Sequence, residues 1–171
     1  DVMGADISDG MLAQNPYKWI KAPAETLPFE DNTFDFVVCR SLLHHLNDPR
    51  IGLKEMFRVL KSGGEWSCWD PHHGIVYNFI RSLFQHTDRF SHLHKSFSDK
   101  ELFSLIEDSG FEITEERYIG YLGYPLLGFP DIFDFHIPLS LARKIIRFDE
   151  LLERTFLKKL SWSLMVKARK S

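Results

Sequence analysis

Several side chains in this 171-residue chain stand where chemistry is usually done in an α/β protein, just past a strand. Asp6 ends the short run 2–6, and a carboxylate there can accept both hydrogen bonds of a ribose diol. The same acid can equally be a turn residue or a helix cap. Ala24 and Glu25 precede a proline-punctuated stretch that leads into the β-prone run 34–39, and Cys39, Arg40 and Ser41 close that run. His72 and His73 follow a further run, 65–69. An imidazole in that place could take a proton from a hydroxyl nucleophile, and a plain turn is the competing reading. His44-His45 lies just beyond the middle run and suits either packing near a helix start or one wall of a reaction pocket.

Metal chemistry is not expected. His86, His92 and His94 follow the spacing H-x5-H-x-H, which fits no usual zinc site and suits a solvated loop. Cys39 and Cys68 are the two cysteines, too few for a disulfide framework or a four-cysteine site, and read as buried, reduced thiols.

The elements that must position these groups follow from pattern. Ser8 and Asp9 offer an N-cap for a helix from about Gly10, and residues 17–22 alternate weakly as a strand. FDFVVC at 34–39 is a continuous apolar run, as in a strand covered on both faces. Pro49 suits the first turn of a helix reaching about Leu60, with Leu53, Met56, Phe57 and Leu60 at helical spacing and Gly63-Gly64 beyond. A strand at 65–69 comes next, then a helix at 74–85 and a polar, lid-like stretch at 86–97. Ser98 and Glu101 form a capping box for a helix that stops at Gly110, followed by a strand at 112–118. Residues 118–138 hold Tyr118, Tyr121, Tyr124, Phe129, Phe133 and Phe135, fit either for core packing or for an apolar substrate wall. A helix over 139–156, with Leu141, Ile145, Phe148 and Leu152 in register, and a strand over 161–168 complete the chain. Alternation of strands and helices predicts an α/β fold with a mostly parallel sheet and helices on both faces, and ligands at the carboxyl ends of the strands.

Size suits one domain. With 21 basic and 24 acidic residues the net charge is −3, which argues against a general grip on nucleic acid. The charge is uneven: residues 1–36 carry net −5 and residues 140–171 net +6. The basic end reads as a solvated helix face and tail, or as a weak patch for an anionic substrate or a membrane surface. No apolar run approaches the roughly 20 residues of a membrane span, and a cytoplasmic location is expected.

The pieces GADISDGML, APAETLPFEDNTFDFVVCRSLLHHLNDP and LKEMFRVLKSGGEWSCWDP, in this order and spacing, resemble the class I S-adenosyl-L-methionine-dependent methyltransferases, most closely the small-molecule branch that includes the ubiquinone-biosynthesis type. FSDKELFSLIEDSGFEI resembles a later helix–strand unit of the family more loosely. The resemblance implies a seven-stranded Rossmann-like fold and methyl transfer from S-adenosyl-L-methionine to a small-molecule acceptor, apolar or aromatic in character. It implies that Asp6 holds the ribose hydroxyls and that Ile7 lies against the adenine. Ala24 and Glu25 would meet the adenine edge, with Pro23 standing where the family often has an Asp. Cys39 and Arg40 would line the methionine side, and Asp70 with the residues after it would meet substrate. It also implies a first strand and a loop E/D-x-G-x-G-x-G, whereas this chain opens at the family's second strand. The expectation is therefore an N-terminally truncated, single partial domain over 1–171. Its cofactor half would be 1–71 and its substrate half 72–171, with lid-like segments 72–97 and 118–138. Such a piece would have a gap in its sheet beside the Asp6 strand and would be inactive by itself. The alternative is a non-catalytic, methyltransferase-like scaffold.

Overall fold

The computed structural model describes residues 1–71, 97–121 and 137–171. The helices expected over 74–85, the lid-like stretch at 86–96 and most of the aromatic segment lie outside these residues, as do His72, His73, His86, His92 and His94.

The described elements run β1 (Met3–Asp6), α1 (Asp9–Ala13), β2 (Lys18–Lys21), β3 (Phe34–Arg40), a 3-10 turn (Leu43–His45), α2 (Pro49–Val59) and β4 (Leu60–Pro71). Then come α3 (Asp99–Asp108), β5 (Phe111–Ile119), α4 (Leu139–Glu153), a second 3-10 turn (Phe156–Leu160) and β6 (Ser163–Lys170). The strands form two sheets: β1 and β2 pair in parallel, and β3-β4-β6-β5 form a second sheet. β3 and β4 are parallel, whereas β6 is antiparallel to both β4 and β5. The α/β architecture expected from alternation is thus present, parallel in its first half and antiparallel in its last three strands. β1 is not hydrogen-bonded to β3, so a cleft separates the two sheets.

Local chemistry accounts for most boundaries. Ser8 caps α1, Asp48 caps α2 with Pro49 in its first turn, and Ser98 and Glu101 form the reciprocal capping box of α3. α3 ends at Asp108, two residues before Gly110, whose φ of +97° and contact with the Phe57 ring would strain any side chain. Leu60 belongs to β4 and not to the end of α2, because the Lys61–Gly64 stretch bulges between the pairs Phe34–Leu60 and Phe36–Glu65.

The core lies where α2 and α3 cover the larger sheet. Trp66 and Cys68 of β4, Leu164, Val166 and Ala168 of β6, and Leu53, Met56, Leu102 and Ile106 of the helices are buried together. The Trp66 indole donates to the Met56 sulfur at 3.2 Å and packs against Phe111. Every second residue of β4 from Trp66 faces this core, which carries the carboxylate of Asp70 inside with no exposed surface.

α4 corrects the sequence reading in two ways. It ends at Glu153, before the second 3-10 turn, and its inner face is not the Leu141–Phe148 stripe. Leu141 and Phe148 are each about half exposed, whereas Asp149 is buried and Ile145 and Leu152 are partly covered. The helix carries apolar residues on every side, so periodicity leaves its orientation open. Arg117 of β5 resolves it by donating to both carboxylate oxygens of Glu153, at 2.9 and 2.8 Å.

Candidate cofactor cleft and the buried His–Asp pair

Between β1 and β3 lies a cavity of about 370 Å³, within the range of about 300–1,000 Å³ usual for small-molecule sites. Asp6 and Ile7 from the end of β1, Ala24 and Glu25 from the loop after β2, Cys39 from the end of β3 and His45 from the 3-10 turn after it line it. Five of the residues expected at a nucleoside-type cofactor are therefore around one space, together with one expected only as a wall.

Asp6 is placed by its own turn. Its Oδ1 accepts the Ser8 N–H at 2.8 Å, and its main-chain carbonyl accepts the Ala22 N–H at 3.1 Å. Oδ2 accepts no hydrogen bond among the described residues, so the carboxylate keeps acceptor capacity toward the cavity. Ile7 is 66% exposed at the same mouth, an apolar surface without cover. Cys39 and Cys68 face each other across β3 and β4. Burial is the main reason that both thiols are held well above the usual cysteine range, with the nearby Asp70 carboxylate adding to it. They are neutral, unreactive groups, and Cys39 can offer the cavity only a soft apolar wall. Arg40 points elsewhere: it is exposed, does not line the cavity, and sits over the Trp69 ring at 4.9 Å.

The loop bearing Ala24 and Glu25 is tied to α2 by a polar clamp. Glu55 accepts the Leu27 N–H at 2.8 Å and bonds Arg58, whose guanidinium also donates to the carbonyls of Leu27 and Phe29 and to Asp31. Gly52 lets α2 come close to this region, since a Cβ there would fall 2.6 Å from Leu46. The Arg58 side chain is 30% exposed, and its removal should cost about 1–3 kcal/mol and loosen the cavity wall. Arg58→Ala is therefore expected to melt earlier and bind the cofactor less tightly; an unchanged melt would remove the clamp from this account. The clamp also predicts an acid dependence. Arg58 holds the Glu55 carboxyl below its usual 4.5. A lowered folded value means that the stabilisation is complete above about 4.5 and is lost as pH falls through the depressed value. Glu55→Gln should flatten that part of the stability–pH curve.

One arrangement was not visible in the sequence. Ser41 adopts φ +50° immediately after β3, and its N–H donates to the Trp69 carbonyl at 2.7 Å. That reversal tucks the 3-10 turn under the end of β4. There the His44 main-chain N–H donates to Asp70 Oδ1 at 3.2 Å, and His44 Nδ1 lies 2.6 Å from the same oxygen. A carboxylate can only accept, so Nδ1 carries the hydrogen. Among the described residues, the buried Asp70 Oδ2 has no hydrogen-bond partner. The His45 ring lies against that of His44, 4.0 Å between centroids, and reaches the cavity. His44 is therefore more than a packing residue: it is oriented by a buried acid at the carboxyl edge of the sheet, one residue from the cavity wall. The only sequence signal was an acid closing an otherwise apolar strand.

Residues 1–68 match a family described as a methyltransferase domain. The chain is 36% identical over 95 residues to the ubiquinone/menaquinone biosynthesis C-methyltransferase UbiE of Desulfotalea psychrophila, covering 50% of this chain and 39% of that protein. It is 30% identical over 159 residues to the demethylmenaquinone methyltransferase of Staphylococcus aureus, covering 77% and 66%. The chain thus spans between about two fifths and two thirds of the length of these relatives. A methyltransferase structure from Thermotoga maritima superposes with a TM-score of 0.65 at 22% identity, over 99% of this chain and 72% of that one, which establishes the fold. Among the described residues no helix is long and apolar enough to cross a membrane. The chain belongs to the class I S-adenosyl-L-methionine-dependent methyltransferase family.

Proposed function

We propose that the protein binds S-adenosyl-L-methionine at the carboxyl-end mouth of the β1–β3 cleft, where Asp6, Ile7, Ala24 and Glu25 meet, and catalyses methyl transfer to an apolar, aromatic small molecule. The observation that carries this is the convergence of Asp6, Ile7, Ala24 and Glu25 on one cavity, from two segments separated in sequence. Asp6 holds the ribose hydroxyls, Ile7 packs against the adenine, and the Ala24-Glu25 backbone meets its edge. Cys39 forms the wall on the methionine side, and Arg40, turned onto the Trp69 ring outside the cavity, takes no part. The cofactor supplies an activated methyl group on a sulfonium. The protein's part is alignment of the acceptor on the line of displacement, exclusion of water and removal of the acceptor's proton. We assign that last role to His72 or His73, which follow Pro71 directly in sequence. The quinone-biosynthesis names of the relatives support an apolar ring as the acceptor class.

The test is calorimetric titration of the full-length protein with S-adenosylmethionine, followed by transfer of a labelled methyl group to a reduced naphthoquinone. Binding with transfer is the expected result. No binding would end the reading, and binding without transfer to the naphthoquinone or other hydroxylated aromatic rings would end the acceptor assignment alone.

A further inference from the structure

The basic C-terminal end divides into two populations once folded. Three cations of β6 and of the turn before it are paired with acids of β5. Lys167 pairs with Glu115 at 2.8 Å, Arg169 with Glu112 at 2.9 Å and Lys158 with Glu116 at 3.2 Å. Lys170 donates to the carbonyls of Phe57 and Leu60. The cations of α4 are different. Arg143, Lys144, Arg147 and Arg154 are exposed, and none makes an ion pair or hydrogen bond among the described residues. The acids of α4 are mostly spent inward, with Asp149 buried and Glu153 held by Arg117, which leaves Glu150 as the only carboxylate of the helix on its open side.

Helical spacing gathers these cations with apolar side chains. Arg143, Arg147, Leu151 and Arg154 stand at i, i+4, i+8 and i+11, one stripe along the helix. Lys144 and Phe148 flank it. Leu151 is 64% exposed, Phe148 48%, and Phe156, just past the helix, 89%. An ordinary solvated helix face carries both charge signs and few large apolar groups. This one presents four cations around uncovered leucine and phenylalanine. Long basic side chains can reach for phosphates while their stems and the neighbouring apolar groups sit lower.

We propose that this face of α4 docks on an anionic lipid surface, with Arg143, Lys144, Arg147 and Arg154 on headgroup phosphates and Leu151, Phe148 and Phe156 in the boundary layer below. The occupant follows from complementarity. A layer of phosphates above hydrocarbon meets both the cations and the apolar groups, whereas a soluble polyanion meets only the cations. The assignment is independent of the methyl-transfer reading, since no cavity residue takes part.

The test is co-sedimentation of the full-length protein with vesicles of phosphatidylcholine, with and without phosphatidylglycerol, at low and high salt. Binding should require the anionic lipid and weaken with salt. Each lost cation should lower partitioning about fivefold, so the triple variant Arg143→Gln/Arg147→Gln/Arg154→Gln should bind roughly 100-fold less. Phe156→Ser should lower binding about tenfold at both salt concentrations. Lys167→Gln, which removes a cation already paired on β5, should bind as the native protein does. All these side chains are exposed, so melting temperatures serve as the fold control. Equal binding to neutral and anionic vesicles, or a triple variant that binds like the native protein, would overturn the proposal. So would retention on heparin without vesicle binding, or a dimer that Phe156→Ser dissociates and that ignores vesicles.

Discussion

Asp70→Ala should lower the melting temperature by about 10 °C. The carboxylate has no exposed surface and His44 is almost as enclosed, so its removal leaves a buried imidazole N–H and a main-chain N–H without their acceptor. Leaving a buried donor without its acceptor costs about 1–3 kcal/mol, here twice over, and in a domain of this size each kcal/mol moves the midpoint by roughly 2–4 °C. Asp70→Asn keeps one acceptor oxygen where Oδ1 stands and should lose less than half as much. Apolar replacement of both partners, His44→Leu with Asp70→Leu, removes the orphaned groups together and should melt above Asp70→Ala. Thermal melts by circular dichroism decide the matter. If Asp70→Ala stayed within about 2 °C of the native protein, the pair would not be holding the end of β3 to the end of β4.

That pair shows where sequence reasoning stops. His44 and Asp70 are 26 residues apart, and their meeting depends on the Cys39–Cys68 register and on a left-handed Ser41. Neither is encoded by any residue preference, since serine seldom takes positive φ. The parts that were legible are local. Caps at Ser8 and Ser98, Pro49 in the first turn of α2 and the stop near Gly110 each draw on neighbours within four residues, and the structure places a helix boundary at each. The β3 run was legible as a strand because its residues are β-prone, but the expected cover on both faces is not found: Phe36 is 49% and Val38 63% exposed. α4 was legible as a helix but not in its rotation. Leucine, isoleucine and phenylalanine occur all round it, and the Arg117–Glu153 bond that sets its inner face joins residues 36 apart. Asp6, Ile7, Ala24 and Glu25 were found through the family resemblance. The structure adds that they share one cavity, which no spacing rule could supply.

Asp6→Asn should weaken S-adenosylmethionine binding by roughly 5- to 150-fold, with no change in melting temperature. The two oxygens of Asp6 have separate tasks. Oδ1 accepts the Ser8 N–H at 2.8 Å and fixes the turn into α1. Oδ2 is the one left to receive a ribose hydroxyl. Asparagine keeps an oxygen for Ser8 and puts an NH₂ donor where Oδ2 was, so the fold keeps its turn while the ligand loses its acceptor. Hydrogen bonds to a charged group are worth about 1–3 kcal/mol, which at 1.4 kcal/mol per decade gives the stated range. Asp6→Ala removes both oxygens and should add a small loss of stability on top of the same loss of affinity, because Ser8 is exposed and water can replace its partner. Adenosine should report the same ratio between native and Asn forms as the whole cofactor, since the ribose contact lies in the part they share. Calorimetry on the full-length protein with each ligand measures it. Equal affinity of the native and Asn forms would remove Asp6 from the binding site. A loss for the whole cofactor without one for adenosine would place the carboxylate against the sulfonium side and not the ribose.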